Sequence, residues 1–346
     1  MHALRGGIGM SQIGICFLDR PDGRTQVRLA QRADREGWDS VWVCETRTAR
    51  DAVSVLGAMA ASTERVKLGP GVVNSWTRGP VLMALTFASL DEMAPGRMIL
   101  GIGAYWDPLA WKQGIERTKP VRQMREYIEV VRRLLAMEDV DYDGEVVKVR
   151  DIRLELGKGA ERRPKHVPIY IGATGLQMVN LTGQVADGIL LNAFTSLGYQ
   201  TKALERLDEG AKRAGRSLEE IDKPQLVAVF LSDDGESARH EARHMATMYL
   251  GQQPHIAKAS GIEQALIDDV NRAMGGWPPE PDGIDKAMAL VPDEVVDELC
   301  AAGTAGQCRE RVSRYVKDGV HPIVMPLTAN YDEVMDAFAP ETWSVA

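Results

Sequence analysis

Short runs of apolar, often β-branched residues alternate along the chain with longer stretches in which apolar positions recur every three to four residues. The first pattern predicts strands and the second amphipathic helices. Strands are predicted at Ile13–Phe17, Ser40–Cys44, Val66–Val73, Arg97–Gly103, Val167–Ile171, Gly188–Leu191, Gln225–Leu231 and His321–Met325. Helical spacing covers Thr25–Glu36, Asp51–Ala61, Pro80–Met93, Lys119–Met137, Leu176–Gln184, Thr201–Ala214 and Thr304–Lys317. The punctuation agrees. Gly37 closes the first helix in the position that favours a left-handed backbone, and Pro80 opens the third where its missing N–H costs nothing. Tyr142–Leu154 alternates around Asp143-Gly144 and predicts a small hairpin. After the seventh strand comes a mostly helical excursion, Glu236 to Met274, followed by a Gly/Pro-rich loop from Gly275 to Pro281.

Eight strands interleaved with helices predict an α/β fold, a (β/α)8 TIM barrel formed by one domain over residues 1–346. A helical insertion after strand seven occupies about residues 232–300. The strands are apolar throughout, as parallel strands covered on both faces must be. An open doubly wound sheet would carry a Gly-x-Gly-x-x-Gly turn after its first strand. Here that strand runs into Leu18-Asp-Arg-Pro-Asp-Gly-Arg24 instead.

Charge and cysteine usage narrow the partners. Lys and Arg number 41 against 49 Asp and Glu, a net charge of −8. That disfavours nucleic acid and anionic membrane, both of which select basic surfaces. No apolar run is long enough for a membrane span. The first ten residues lack the apolar core of a secretory signal, and the four cysteines contain no Cys-x-x-Cys pair, so a reducing cytoplasm is expected.

In a barrel of this kind chemistry gathers at the C-terminal ends of the strands. The residues there are mostly small, amide-bearing or aromatic, which suits a pocket for a planar ligand. Cys16, Trp76 and Trp106 are candidates for the substrate pocket. Glu45, an acid just past an apolar strand, is the candidate catalytic residue; the plainer alternative is a salt bridge to Arg47 or another rim arginine. Gly172-Ala-Thr-Gly175, between a strand and a helix, could bind phosphate through its N–H groups. Gly69-Pro-Gly-Val-Val-Asn74 breaks an apolar run and predicts a bulge. His240-Glu-Ala-Arg-His244 matches a zinc-helix pattern, but Arg243 inside it and the polar start of its helix argue against a buried metal, and no metal site is expected.

Four stretches resemble the bacterial luciferase-like superfamily of flavin and deazaflavin barrels. They are Leu68-Gly-Pro-Gly-Val-Val-Asn-Ser-Trp-Thr-Arg-Gly-Pro80, Ser89 to Gly103, Pro168 to Gly175 with Ala186-Asp-Gly-Ile189, and Gly37 to Val43. Within it they are most similar to the oxidoreductases that use coenzyme F420, such as methylenetetrahydromethanopterin reductase. The resemblance implies hydride transfer between F420 and a small organic substrate by a homodimer. An FMN-dependent monooxygenase is the alternative, and a non-catalytic flavin or deazaflavin binder a third. It also implies a non-prolyl cis peptide at Gly71-Val72, forming a bulge behind the cofactor ring. Asn74 would face ring or substrate, with Gly103, Ala104 and Tyr105 flanking the ring or ribityl chain. Gly172, Ala173, Thr174 and Gly175 would hold the phosphate, and Asn192 would lie near the ring or ribityl hydroxyls.

Overall fold

The computed structural model describes residues 12–46, 48–157 and 162–343. Its barrel strands are β1 (Gly14–Phe17), β2 (Ser40–Val43), β3 (Lys67–Pro70, resuming at Val73–Asn74), β4 (Leu100–Gly103), β5 (Ile169–Gly172), β6 (Gly188–Leu190), β7 (Lys223–Leu231) and β8 (Val320–Pro326). All pair in parallel. One run of pairs joins β7, β8, β1, β2 and the first part of β3, and another joins the second part of β3 to β4, β5 and β6. Isolated bridges complete the ring, Leu68 to Met98 between β3 and β4, and Gly188 to Asp222 and Leu191 to Gln225 between β6 and β7. The expected eight-stranded barrel is thus present, with β3 interrupted at the predicted bulge.

Alternation along each strand divides two cores. Ile15, Val41, Val43, Ile169 and Ile171 point outward and pack under the helices. Cys16, Trp42, Tyr170, Leu226, Ala228, Phe230, Ile323 and Met325 fill the barrel interior. This is the layered side-chain filling that makes such a barrel solid rather than hollow. The first helix, Gly23–Glu36, is tied to the last, Tyr331–Ala337, by Arg28 and Arg32 on Asp332 and by Arg32 on Asp336. The expected hairpin forms as Val140–Asp143 and Lys148–Ile152. Glu126 anchors its turn by accepting the N–H groups of Glu145, Val146 and Val147 at 2.8–3.1 Å.

The excursion after β7 forms five helices, Gly235–Gln252, Pro254–Ala259, Gln264–Ala273, Gly283–Met288 and Asp293–Leu299. It returns as a short strand, Ala301–Gly303, that pairs in parallel with the end of β7, placing Gly303 opposite Leu231. The zinc-like motif lies on the first of these helices with His240 and Glu241 exposed. Arg243 bonds the Val291 carbonyl at 3.1 Å and also meets the carboxylate of Asp293.

At the N-terminal end of the barrel, away from the expected site, Asp222 accepts the Tyr170 hydroxyl at 2.6 Å and meets His321 Nε2 at 2.9 Å. Burial opposes its charge, but His321, Tyr170 and the Lys223 N–H outweigh it and hold the carboxyl at about 2. A depressed folded-state value contributes stability above the unfolded value of ~3.9, and that contribution is lost as pH falls through about 2. Asp222→Asn should therefore be less stable than the parent at neutral pH. Its unfolding midpoint should vary less with pH between about 4 and 2, as measured by urea denaturation across that range.

Candidate active site

A cavity of about 750 Å3 opens at the C-terminal ends of the strands. That lies within the ~300–1,000 Å3 typical of sites for cofactor-sized ligands. Glu45, Gly71, Val72, Asn74, Gly103, Ala104, Tyr105, Trp106, Gly172, Ala173, Thr174, Gly175 and Asn192 all line it. Residues from Glu45 to Asn192 are thus brought to one wall by five strand ends.

Two candidates fall elsewhere. Cys16 is fully buried inside the barrel, its Sγ 3.4 Å from that of Cys44, and Cys44 takes the place in the wall. The reason is layering: Cys16 and Cys44 both point inward, but Cys16 sits one layer deeper on the neighbouring strand. Trp76 is also absent from the wall. Asn74 Oδ1 accepts the N–H groups of Trp76 at 3.0 Å and Thr77 at 2.8 Å, and this turn takes the indole out of the cavity. Asn74 thereby commits its oxygen to the backbone.

The floor is built around the break in β3. The Gly71-Val72 peptide is cis. Gly71 N–H donates to the Val43 carbonyl at 2.8 Å, and its own carbonyl accepts from Cys44 Sγ at 3.1 Å. The Val72 side chain lies between Gly103 of β4 and Gly172 of β5; a Cβ on either would come within 2.7 or 2.8 Å of its methyl groups. Glycine is required at both positions for Val72 to occupy the floor.

Glu45 sits at the rim and is gripped by Arg78, which donates to its two oxygens at 2.8 and 2.9 Å. Both side chains are largely buried, 14% and 17% exposed, which makes this fork stronger than a surface pair. Arg78 also meets Asp51, the cap of helix Ala52–Ala60, and its carbonyl accepts the Tyr127 hydroxyl at 2.7 Å. The rim arginine anticipated for Glu45 is therefore Arg78; Arg47 lies outside the described residues.

The Gly172–Gly175 loop leads into helix Leu176–Val185, whose cap residue, Gly175, offers no side-chain acceptor. The first N–H groups of that helix are left available where the cavity passes, an arrangement suited to an anion. The roof comes from the insertion: Met245, Met248, Tyr249, Gln253, His255 and Ile256. Tyr249 stacks on Phe194 with centroids 4.5 Å apart, and its hydroxyl accepts from Asn192 Nδ2 at 2.9 Å. Reading strand ends alone missed these roof residues and also Arg117. The spacing of Met245, Met248, Tyr249 and Gln252 along one helical face was the available signal.

Comparison with known proteins agrees with this geometry. The chain is 32% identical to the 5,10-methylenetetrahydromethanopterin reductase of Archaeoglobus fulgidus, over 84% of its own length and 86% of that protein's. It is 30% identical to the F420-dependent glucose-6-phosphate dehydrogenase of Microbacterium testaceum, covering 84% of each. The solved coenzyme F420-dependent tetrahydromethanopterin reductase of Methanopyrus kandleri superimposes with a TM-score of 0.82 at 24% identity, over 95% of this chain and 97% of that one. The sequence profile of the luciferase-like monooxygenases matches residues 5–322, and the chain belongs to that family.

Proposed function

We propose that this protein is an oxidoreductase that transfers hydride between coenzyme F420 and a small organic substrate. The observation that carries the reading is the floor, an apolar Val72 clasped by Gly103 and Gly172 under an apolar, aromatic roof. Relatives named for F420 at 30% identity support it. The residues present fit the cofactor's chemistry. A flat apolar slot suits a planar ring, Asn192 can meet hydroxyls, and the uncapped helix start after Gly175 suits a phosphate. When bound, F420 supplies the hydride-carrying ring; orientation and a dry pocket come from the protein.

In this reading Val72, Gly103 and Gly172 fix the height of the ring, and Met245, Met248 and Tyr249 keep water from the face above it. Glu45 is the carboxylate that meets the reacting partner. With both oxygens held by Arg78, its carboxylate is fixed in place and orients an N–H or O–H group of the substrate by accepting from it. Glu45→Gln should cut turnover by about 10²-fold or more while leaving the dissociation constant for F420 within about twofold of the parent. Steady-state kinetics and cofactor fluorescence check the two halves separately, and unchanged turnover would remove Glu45 from the reaction. Titration with F420 should quench the deazaflavin fluorescence at saturable stoichiometry. Binding of FMN with none of F420 would overturn the cofactor.

The same reading makes the protein a cytoplasmic homodimer. Leu82, Leu85 and Met93 project from helix Pro80–Met93 at 53%, 42% and 47% exposure, an apolar ridge that a second copy would cover. Four free, buried cysteines suit a reducing compartment. Sedimentation velocity should give twice the 38.0 kDa chain mass, and a monomer at micromolar concentration would refute the dimer.

A further inference from the structure

A cofactor with a phosphate in its tail brings negative charge into a cavity whose walls include two carboxylates, Glu45 and Asp107. The opposing charge is scarce. Among the described residues the cavity wall has two basic side chains, Arg117 and His255. Burial pushes the His255 imidazole below its usual value, so it is neutral near pH 7. Arg117 is the one permanent cation among them.

Its setting is unusual for an arginine outside a strand or helix. The side chain is only 11% exposed, and its Nε is buried with no hydrogen-bond partner. A buried guanidinium donor without an acceptor is costly, so the group depends on the partners that its other nitrogens find. The one carboxylate it meets, Asp107, is 79% exposed and holds a terminal nitrogen. Arg117 precedes helix Pro120–Leu135, and the Gly172–Gly175 loop precedes helix Leu176–Val185. The strands feeding these two segments, β4 and β5, are neighbours in the barrel, and the two helices pack against one another. The Arg117 guanidinium and the uncapped helix start therefore belong to adjacent loops of one cavity.

We infer that Arg117 is the charged half of the anion cradle, pairing with the phosphate of the cofactor tail while the amides following Gly175 supply the neutral half. This rests on the F420 reading. Asp107 acts as a competitor that occupies Arg117 when no anion is bound.

The test compares two ligands on the parent protein and two variants by fluorescence titration. One is F420; the other is the same deazaflavin chromophore truncated before the phosphate. The parent should prefer F420. Arg117→Gln should weaken F420 roughly 10- to 100-fold and leave the truncated chromophore unchanged, erasing the preference. It should also flatten the salt dependence of F420 binding. Asp107→Asn should act in the opposite direction, tightening F420 a few-fold with no effect on the truncated ligand. Thermal melting of each variant reports folding, and Arg117→Lys, which keeps the charge without the fork, should fall between parent and Arg117→Gln. If Arg117→Gln keeps the preference for F420, Arg117 is not the phosphate partner, even if the KM for substrate rises. If the parent binds neither ligand, the F420 reading itself fails.

Discussion

Replacing Gly172 by alanine should lower the affinity for F420 at least tenfold and cost about 1–3 kcal/mol of stability. The added methyl would stand 2.8 Å from Cγ1 and 3.2 Å from Cγ2 of Val72. It has nowhere to go, because Val72 is already pressed from β4, where a methyl on Gly103 would lie 2.7 Å from Cγ2. The ring's floor must then rise or tilt. The cause can be separated from general damage by a second substitution. Val72→Ala removes both γ-methyl groups, so the double variant Gly172→Ala with Val72→Ala should recover stability and part of the binding. The two changes would be coupled rather than additive, as expected for side chains in contact. Thermal unfolding and cofactor titration of the parent, both single variants and the double variant decide this. Parental affinity in Gly172→Ala would mean that Val72 does not set the floor.

Arg78→Ala should have the next largest effect, about 3 kcal/mol of destabilisation together with loss of most turnover. Arg78 holds Glu45 through two bonds and also meets Asp51, so its removal leaves two carboxylates facing each other with no cation between them. Glu45 then loses the fork that keeps it oriented. The acid limb of stability should change as well. Burial opposes the charge of Asp51, but Ser54 and Arg78 hold its carboxyl below the usual value. Its contribution is therefore present above ~3.9 and lost as the pH falls further. Without Arg78 that contribution shrinks, so stability should fall less steeply with acid than in the parent. Chemical denaturation at pH 7 and across pH 4 to about 2 measures both effects. Arg78→Lys should recover part of the stability and little of the turnover, since an ammonium cannot bridge both oxygens of Glu45.

The barrel was legible because parallel strands buried on both faces are apolar from end to end, and all eight stand out against the helical spacing around them. The irregular β3 was legible too, since a proline between two glycines weakens a strand, although the ladder runs on through Gly69 and Pro70 and breaks only at Gly71-Val72. What lay beyond reach was side-chain layer. Cys16 and Cys44 both sit near strand ends and both point inward, yet only Cys44 reaches the cavity, because stagger between neighbouring strands decides which rung each occupies. Trp76 follows a strand end in the same way, but the turn made by Asn74 diverts it. The partner of Glu45 was foreseen as a rim arginine and not as Arg78, which lies 33 residues further along on the next connection. The individual roof residues were the largest omission, because the excursion could be recognised as a helical insertion over the pocket without knowing which of its faces would line it.

The insertion leaves the barrel at Leu231 and comes back at Gly303, and those two residues stand opposite each other on paired strands. The floor draws on three different strands, so any change to it must be made in several places at once. The roof is one uninterrupted cassette whose two ends already meet. Grafting the equivalent stretch from a relative should then replace the roof in a single step while the floor and Glu45 are inherited intact. In such a lineage, roof and floor can change at independent rates.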